Sequence, residues 1–224
     1  MRRMSRSTAA LAAAFLLGAC APSSGGDGAA AAARGSGFDF YVLSLAWSPS
    51  YCKLEGAQAD RQQCGRDRDL GFVVHGLWPQ FERGYPQDCP TDQPRRVANG
   101  LADSMLDIMP SRGLVGHEWR THGTCANLSQ ADYFAATRAA FTRVRLPEGL
   151  RDASRGDRLA PKAIEAAFIA ANPGLRADGI AVTCDRGLLD EVRICLTREL
   201  GFRSCPEVDR KACRAGSLNL PAAP

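Results

Sequence analysis

Phe38-Asp39-Phe40-Tyr41-Val42-Leu43-Ser44-Leu45-Ala46-Trp47 is the stretch on which the fold turns. A run this rich in aromatic and apolar residues predicts a strand. Gly71 to His75 (Gly-Phe-Val-Val-His) predicts a second strand, ended by Gly76 and Pro79. Two late strands are expected over Ile180 to Cys184 and Leu189 to Thr197. Between them lie helical patterns. Val97 to Met109 is stopped by Pro110, and Gly116 to Cys125 opens another helix. Ser129 is an N-cap for a helix through Arg143, and Pro161 to Ala171 ends at Asn172-Pro173-Gly174. Strands and helices are scattered rather than strictly alternating. That predicts an α+β domain with a largely antiparallel sheet flanked by helices.

The 224 residues suit one domain with appendages, and 45% hydrophobic residues suffice for a core. Arg2, Arg3 and Arg6 precede an apolar run from Ala9 to Leu17, which is too short to anchor in a bilayer. Residues 1–20 therefore predict an export signal. Residues 21–37, rich in Ala, Gly, Ser and Pro, predict a flexible linker. The folded domain is expected over 38–224. Leu17-Gly18-Ala19-Cys20 resembles a bacterial lipobox, which implies cleavage before Cys20 and lipid attachment to its sulfur. An exported protein is expected: a membrane-tethered lipoprotein, periplasmic, or extracellular. A monomer is the default.

The net charge is +4, and without the three leading arginines 25 basic side chains of the 28 face 24 acidic ones. Bulk charge does not announce a nucleic-acid binder, so any phosphate recognition must be local. Setting Cys20 aside leaves eight of nine cysteines, Cys52, Cys64, Cys89, Cys125, Cys184, Cys195, Cys205 and Cys213. An even count in an exported chain predicts up to four disulfides, and eight cysteines allow 105 pairings. No C-x-x-C pair is present, which disfavours structural zinc.

The chain has three histidines. His75 ends an apolar strand, in Phe72-Val73-Val74-His75-Gly76-Leu77-Trp78-Pro79. His117 and His122 fall within His117-Glu118-Trp119-Arg120-Thr121-His122-Gly123-Thr124-Cys125. On a helix advancing about 100° per residue, His117, Glu118, Thr121 and His122 share one sector. Trp119 points toward the core, and Arg120 lies off the polar sector. The zinc-protease motif H-E-x-x-H needs histidines four apart; here they are five apart and diverge by about 140°. No catalytic metal and no cofactor is expected. Paired imidazoles suit proton transfer instead, because their pKa of about 6.5 lets one accept a proton while the other donates. RNA carries its own attacking 2′-hydroxyl beside phosphorus, whereas DNA lacks it.

At these residues the sequence resembles the ribonuclease T2 family. Phe72 to Pro79 and His117 to Cys125 match that family's two catalytic segments. Trp47-Ser48-Pro49-Ser50-Tyr51-Cys52 resembles its opening strand and turn, and Cys184 to Cys205 its terminal strands. The resemblance implies an endoribonuclease with single-stranded RNA as substrate, acting through a 2′,3′-cyclic phosphate to leave 3′-phosphate ends. It implies His122 as general base, His75 as general acid, and His117 with Glu118 on the phosphate. Trp78 would stack a base. It also implies the pairs Cys52–Cys64, Cys89–Cys125, Cys184–Cys213 and Cys195–Cys205. Two other readings compete: an inactive RNA-binding protein on the same fold, and a disulfide-stapled inhibitor. The intact histidines and Glu118 disfavour the first, and only the cysteines suggest the second. Phe81 and Tyr85 are candidates for a base pocket, but base preference is not legible.

One position departs from the family. Thr121 stands where the family often has a lysine, and it offers only a hydroxyl toward the transition-state charge. Thr121→Lys is expected to raise kcat on RNA under steady-state assay; an unchanged or lower value would count against a charge at this position.

Overall fold

The computed structural model describes residues 34–65, 68–154 and 156–223. The export segment and most of the linker lie outside the described residues. Residues 34–37, read above as linker, already touch the domain. Ser36 N–H donates to the Ala126 carbonyl at 3.0 Å, and Asn127 Nδ2 donates to the Ser36 carbonyl.

Strands β1 (Phe40–Trp47), β2 (Phe72–Gln80), β3 (Asp157–Leu159), β4 (Ile180–Asp185), β5 (Leu188–Leu196) and β6 (Leu218–Leu220) form one sheet. Its order is β2-β1-β5-β6-β3, with β4 on the other edge of β5. Every pairing is antiparallel except the single contact of β5 with β6, as the α+β reading expected. Helices α1 (Ser48–Glu55) and α2 (Arg61–Cys64) follow β1. Helices α3 (Asn99–Asp103), α4 (Arg112–Thr121) and α5 (Gln130–Arg143) follow β2, α6 (Pro161–Ala171) follows β3, and α7 (Pro206–Asp209) follows β5.

Side chains alternate along β1. Tyr41, Leu43, Leu45 and Trp47 enter the main core with Val192, Ile194 and Leu196 of β5. Phe40 and Val42 point the other way, toward Cys195 and Cys205. Each large apolar side chain fully withdrawn from water contributes roughly 1.5–3 kcal/mol. The main core is therefore ample to hold helices α4, α5 and α6 on one face. The site lies where the outward side chains of the edge strand β2 meet α4.

Four disulfides staple the domain with the pairs implied above: Cys52–Cys64, Cys89–Cys125, Cys184–Cys213 and Cys195–Cys205. Such a set belongs to an oxidising compartment. Among the described residues, no helix is long and apolar enough to cross a membrane.

Three expectations need correction. The second strand does not end at Gly76; it runs to Gln80, pairing with β1 as far as Phe40. The helix expected over Val97 to Met109 is confined to Asn99–Asp103, with turns up to Pro110. The helix expected from Gly116 starts at Arg112, where Ser111 caps it by accepting from Leu114 N–H at 3.2 Å, and ends at Thr121. His122 is its C-cap, not a helical residue, so the angular estimate for His122 does not apply.

Candidate active site

The register of β2 on β1 contains one irregularity. Ser44 pairs with Gly76 and Leu45 with Val74, leaving His75 as an extra residue in a bulge. In a regular strand residues three apart face opposite ways. The extra residue resets the alternation. Val74 and Leu77 therefore both enter the core, while His75 and Trp78 share the outer face, with ring centroids 5.4 Å apart. His122, the C-cap of α4, packs against the same indole with centroids 5.3 Å apart. The indole thus packs against both imidazoles.

Glu118 closes the arrangement from α4. It is 1% exposed. Its Oε2 accepts from Trp78 Nε1 at 2.8 Å, and its Oε1 lies 3.5 Å from His75 Nε2. The carboxylate reaches this far only because residue 76 has no side chain. A Cβ there would sit 1.9 Å from Glu118 Oε2 and 2.4 Å from Trp78 Nε1.

Behind His75 the sheet supplies a second buried carboxylate. Glu191 of β5 is 3% exposed and accepts a short hydrogen bond from His75 Nδ1. Its other oxygen takes Arg193 Nε at 2.8 Å and a terminal guanidinium nitrogen at 2.6 Å. Ser44 and Ala46 of the intervening β1 pair with Arg193 and Glu191, and their small side chains let His75 reach across. Arg193 also lies 5.1 Å over the Trp78 ring.

These environments push the imidazoles apart. Burial opposes charge on His75, but the hydrogen bond and charge of Glu191, with Glu118 and Asp190, lift its pKa to about 9. Burial and the neighbouring His75 and His117 hold His122 down to about 4. Its Nδ1 is buried without a hydrogen-bond partner among the described residues, so a charge there would be uncompensated. Burial raises Glu118 to about 7 against the opposing pull of His75 and Trp78, whereas the His75 and Arg193 contacts hold Glu191 well below the usual carboxylate range, overcoming its own burial. Near neutrality one imidazole is charged and the other is neutral.

Two openings flank this cluster. One, of about 430 Å³, is lined by His75, His117, Glu191, Asp190, Tyr51 and Leu114. The other, of about 270 Å³, is lined by Trp78, Tyr85, Thr121, His122, Arg193 and Lys211. His117 and His122 thus face different openings and straddle Glu118, rather than sharing one sector. Tyr85 is 53% exposed at the second opening, whereas Phe81 is exposed but lines neither. Cys89–Cys125 ties the loop after β2 to the turn that carries His122. Trp119 is buried in the core, as expected, and Arg120 faces a third cleft.

Residues 38–205 match the model of the ribonuclease T2 family. The chain belongs to that family. A ribonuclease of Aeromonas hydrophila is 47% identical over a stretch covering 43% of this chain and 41% of that protein. A probable ribonuclease of Haemophilus influenzae is 38% identical over 49% of this chain and 44% of that protein. The chain thus spans less than half the length of these curated relatives. Among solved structures, RNase NT in complex with 5′-AMP superposes with a TM-score of 0.62 at 24% identity, covering 84% of this chain and 100% of that one. This likeness is one of fold.

In this ribonuclease T2 family chain, sequence reasoning missed Glu191 and Arg193. Alternation along β5 was the available signal: it puts both on the face away from Val192 and Ile194. Gly76→Ala is expected to leave the protein folded, because the clash involves side chains, while displacing Glu118 and Trp78. A misplacement near 1 Å costs about 10²-fold in rate. Circular dichroism with kcat on RNA checks this; wild-type turnover would mean that the Gly76–Glu118 approach is dispensable.

Proposed function

We propose that this protein is an exported, metal-independent endoribonuclease that cleaves single-stranded RNA by paired-histidine acid–base catalysis. The observation that carries this reading is the opposite charge bias of His75 and His122, both packed against Trp78. The scissile phosphate would lie over Glu118. Neutral His122 takes the proton of the 2′-hydroxyl as its oxygen bonds to phosphorus. Protonated His75 gives its Nε2 proton to the departing 5′-oxygen as the P–O5′ bond breaks. The products are a 2′,3′-cyclic phosphate and a free 5′-hydroxyl. In the second step the roles reverse, and water opens the ring to a 3′-phosphate.

Glu118 has a distinct task. An ionised carboxylate would repel the phosphate, but one whose proton is lost only near pH 7 can donate a hydrogen bond to a phosphoryl oxygen. His117, exposed at the first opening, adds a contact from the solvent side. Glu191 holds His75 through Nδ1, which aims Nε2 at the cleft and supports its charge. Trp78, Thr121 and Tyr85 line the space for a base beside His122. Export rests on residues 1–20 and agrees with the four disulfides. Lipidation at Cys20 with the linker 21–37 would tether a monomeric catalytic domain to a membrane, on the periplasmic or outer side.

Purified protein is expected to cut RNA but not DNA, with no effect of EDTA. His75→Ala and His122→Ala should each lower kcat by a factor on the order of 10²–10⁴ without unfolding. A uridine 3′-aryl phosphate, whose phenolate leaves without a proton, should rescue His75→Ala and not His122→Ala. Failure of that split would overturn the role assignment. The pH profile of kcat/KM should rise near pH 4 as His122 loses its proton. It should fall in two steps, near 7 and 9, as Glu118 and then His75 lose theirs. Glu191→Gln removes the carboxylate charge that favours the imidazolium, so the last step should move to lower pH; an unmoved step would mean Glu191 does not support His75.

A further inference from the structure

The outer side of α4 carries a feature that the chemistry above does not use. A cleft of about 560 Å³ between α4 and the loop leading into α3 is lined by Arg95, Arg96, Arg112 and Arg120. Four guanidinium groups on one concavity are unexpected in a chain whose basic and acidic side chains nearly balance. Arg112 pairs with Asp103 at 2.5 Å, and Arg96 donates to Asn99 Oδ1 at 3.2 Å. Arg95 and Arg120 have no side-chain hydrogen bond or ion pair among the described residues. Clustered like charges repel each other unless an anion joins them.

The local backbone favours this gathering. Residue 116 is a glycine inside a ten-residue helix, where glycine is the worst helix former after proline. A Cβ there would come 3.0 Å from a terminal nitrogen of Arg120. Side chains four apart lean over one another toward the helix start, so an empty position 116 lets the Arg120 guanidinium lie along α4. Its stripe is about 60° from His117 around the helix. The arginine cleft and the first opening of the catalytic cluster share Gly113 on their rims. The two adjoin at this residue of α4, and their charges contrast. The catalytic opening is bordered by Glu55, Asp60, Asp185 and Asp190, which repel a polyanion, while the adjoining cleft attracts one.

We propose that the Arg95–Arg96–Arg112–Arg120 cleft is a binding site for the phosphodiester backbone of RNA beyond the scissile phosphate, drawing the strand across α4 and making long chains better substrates than short ones. Guanidinium forks match the two free oxygens of a phosphodiester and carry no base information, so the site would be sequence-neutral. The proposal rests on the ribonuclease reading for its substrate.

The test compares the wild type with the double variant Arg95→Ala/Arg120→Ala, neither residue touching the reacting groups. On a dinucleoside monophosphate, which is too short to reach the cleft, kcat/KM should stay within about twofold. On a 20-residue oligouridylate it should fall about tenfold, the effect of losing two exposed charge contacts. The dependence of log(kcat/KM) on log salt should flatten by about 1.4, since each contact to a single strand contributes about 0.7. An oligodeoxynucleotide of the same length, bound but not cut, supplies a second readout by fluorescence anisotropy. Loss of affinity with the same change in salt slope supports the site even if the chain cleaves nothing, in which case the ribonuclease reading fails and the site stands. Unchanged binding and unchanged oligonucleotide kinetics overturn it, and so does an equal loss on both substrates.

Discussion

Burying the Glu118 carboxylate beside the His75 imidazole and the Trp78 indole is the constraint around which the rest of this structure is arranged. Glu118 is almost wholly withdrawn from water, and an isolated buried charge would cost several kcal/mol. The fold meets that cost with three arrangements. Trp78 donates to Oε2, His75 brings its charge near Oε1, and Gly76 gives up its side chain so that the carboxylate can reach the strand. All three residues are on β2, and the bulge at His75 is what aligns them. Without the extra residue, His75 and Trp78 would lie on opposite faces and Glu118 would lose one partner or the other.

The balance of charge follows from the same cluster. His75, when protonated, and Arg193 are positive; Glu191 is negative, held below the usual carboxylate range. Glu118 decides the remainder. Ionised, it leaves the group neutral. Protonated, it leaves one positive charge, which would complement one phosphodiester in the proposed reaction. A carboxylate with a pKa near 7 switches between these states with little free energy, so an arriving anion can itself draw the proton on. The imidazoles are also set by surroundings rather than by type: one has a carboxylate at its back, and the other has an unpartnered buried nitrogen.

Much of this was legible beforehand, and the remainder was hidden for physical reasons. The strands β1 and β5, the helices α5 and α6, and the choice of His75, His117, Glu118 and His122 as candidates follow from residue patterns that are local in sequence. Ser111 after Pro110 was a valid start signal for α4, but Gly113 and Gly116 weakened the helical pattern just beyond it. A bulge is a mismatch between two strands, and its one local sign, Gly76 within the strand pattern, reads equally as a strand end. Glu191 was invisible as a partner of His75 for a similar reason. It is 116 residues away in sequence, and the two meet only because β1 lies between their strands with Ser44 and Ala46 too small to intervene.

The departure at Thr121 now has a structural setting. Thr121 ends α4 and lines the opening that holds His122, so a lysine there would stand beside the reacting groups. Two other cations line that opening, but neither is an equal substitute. Arg193 commits its fork to Glu191 and helps keep that buried carboxylate ionised, and Glu191 in turn supports the charge of His75. Lys211 lies beyond α7, exposed and within 3.5 Å of Glu207, where solvent screens it. In the proposed mechanism, charge stabilisation at the phosphate would therefore fall mainly on His75 and on the proton of Glu118. The indirect support of His75 by Glu191 and Arg193 thus carries more weight in a chain with threonine at 121 than it would beside a lysine.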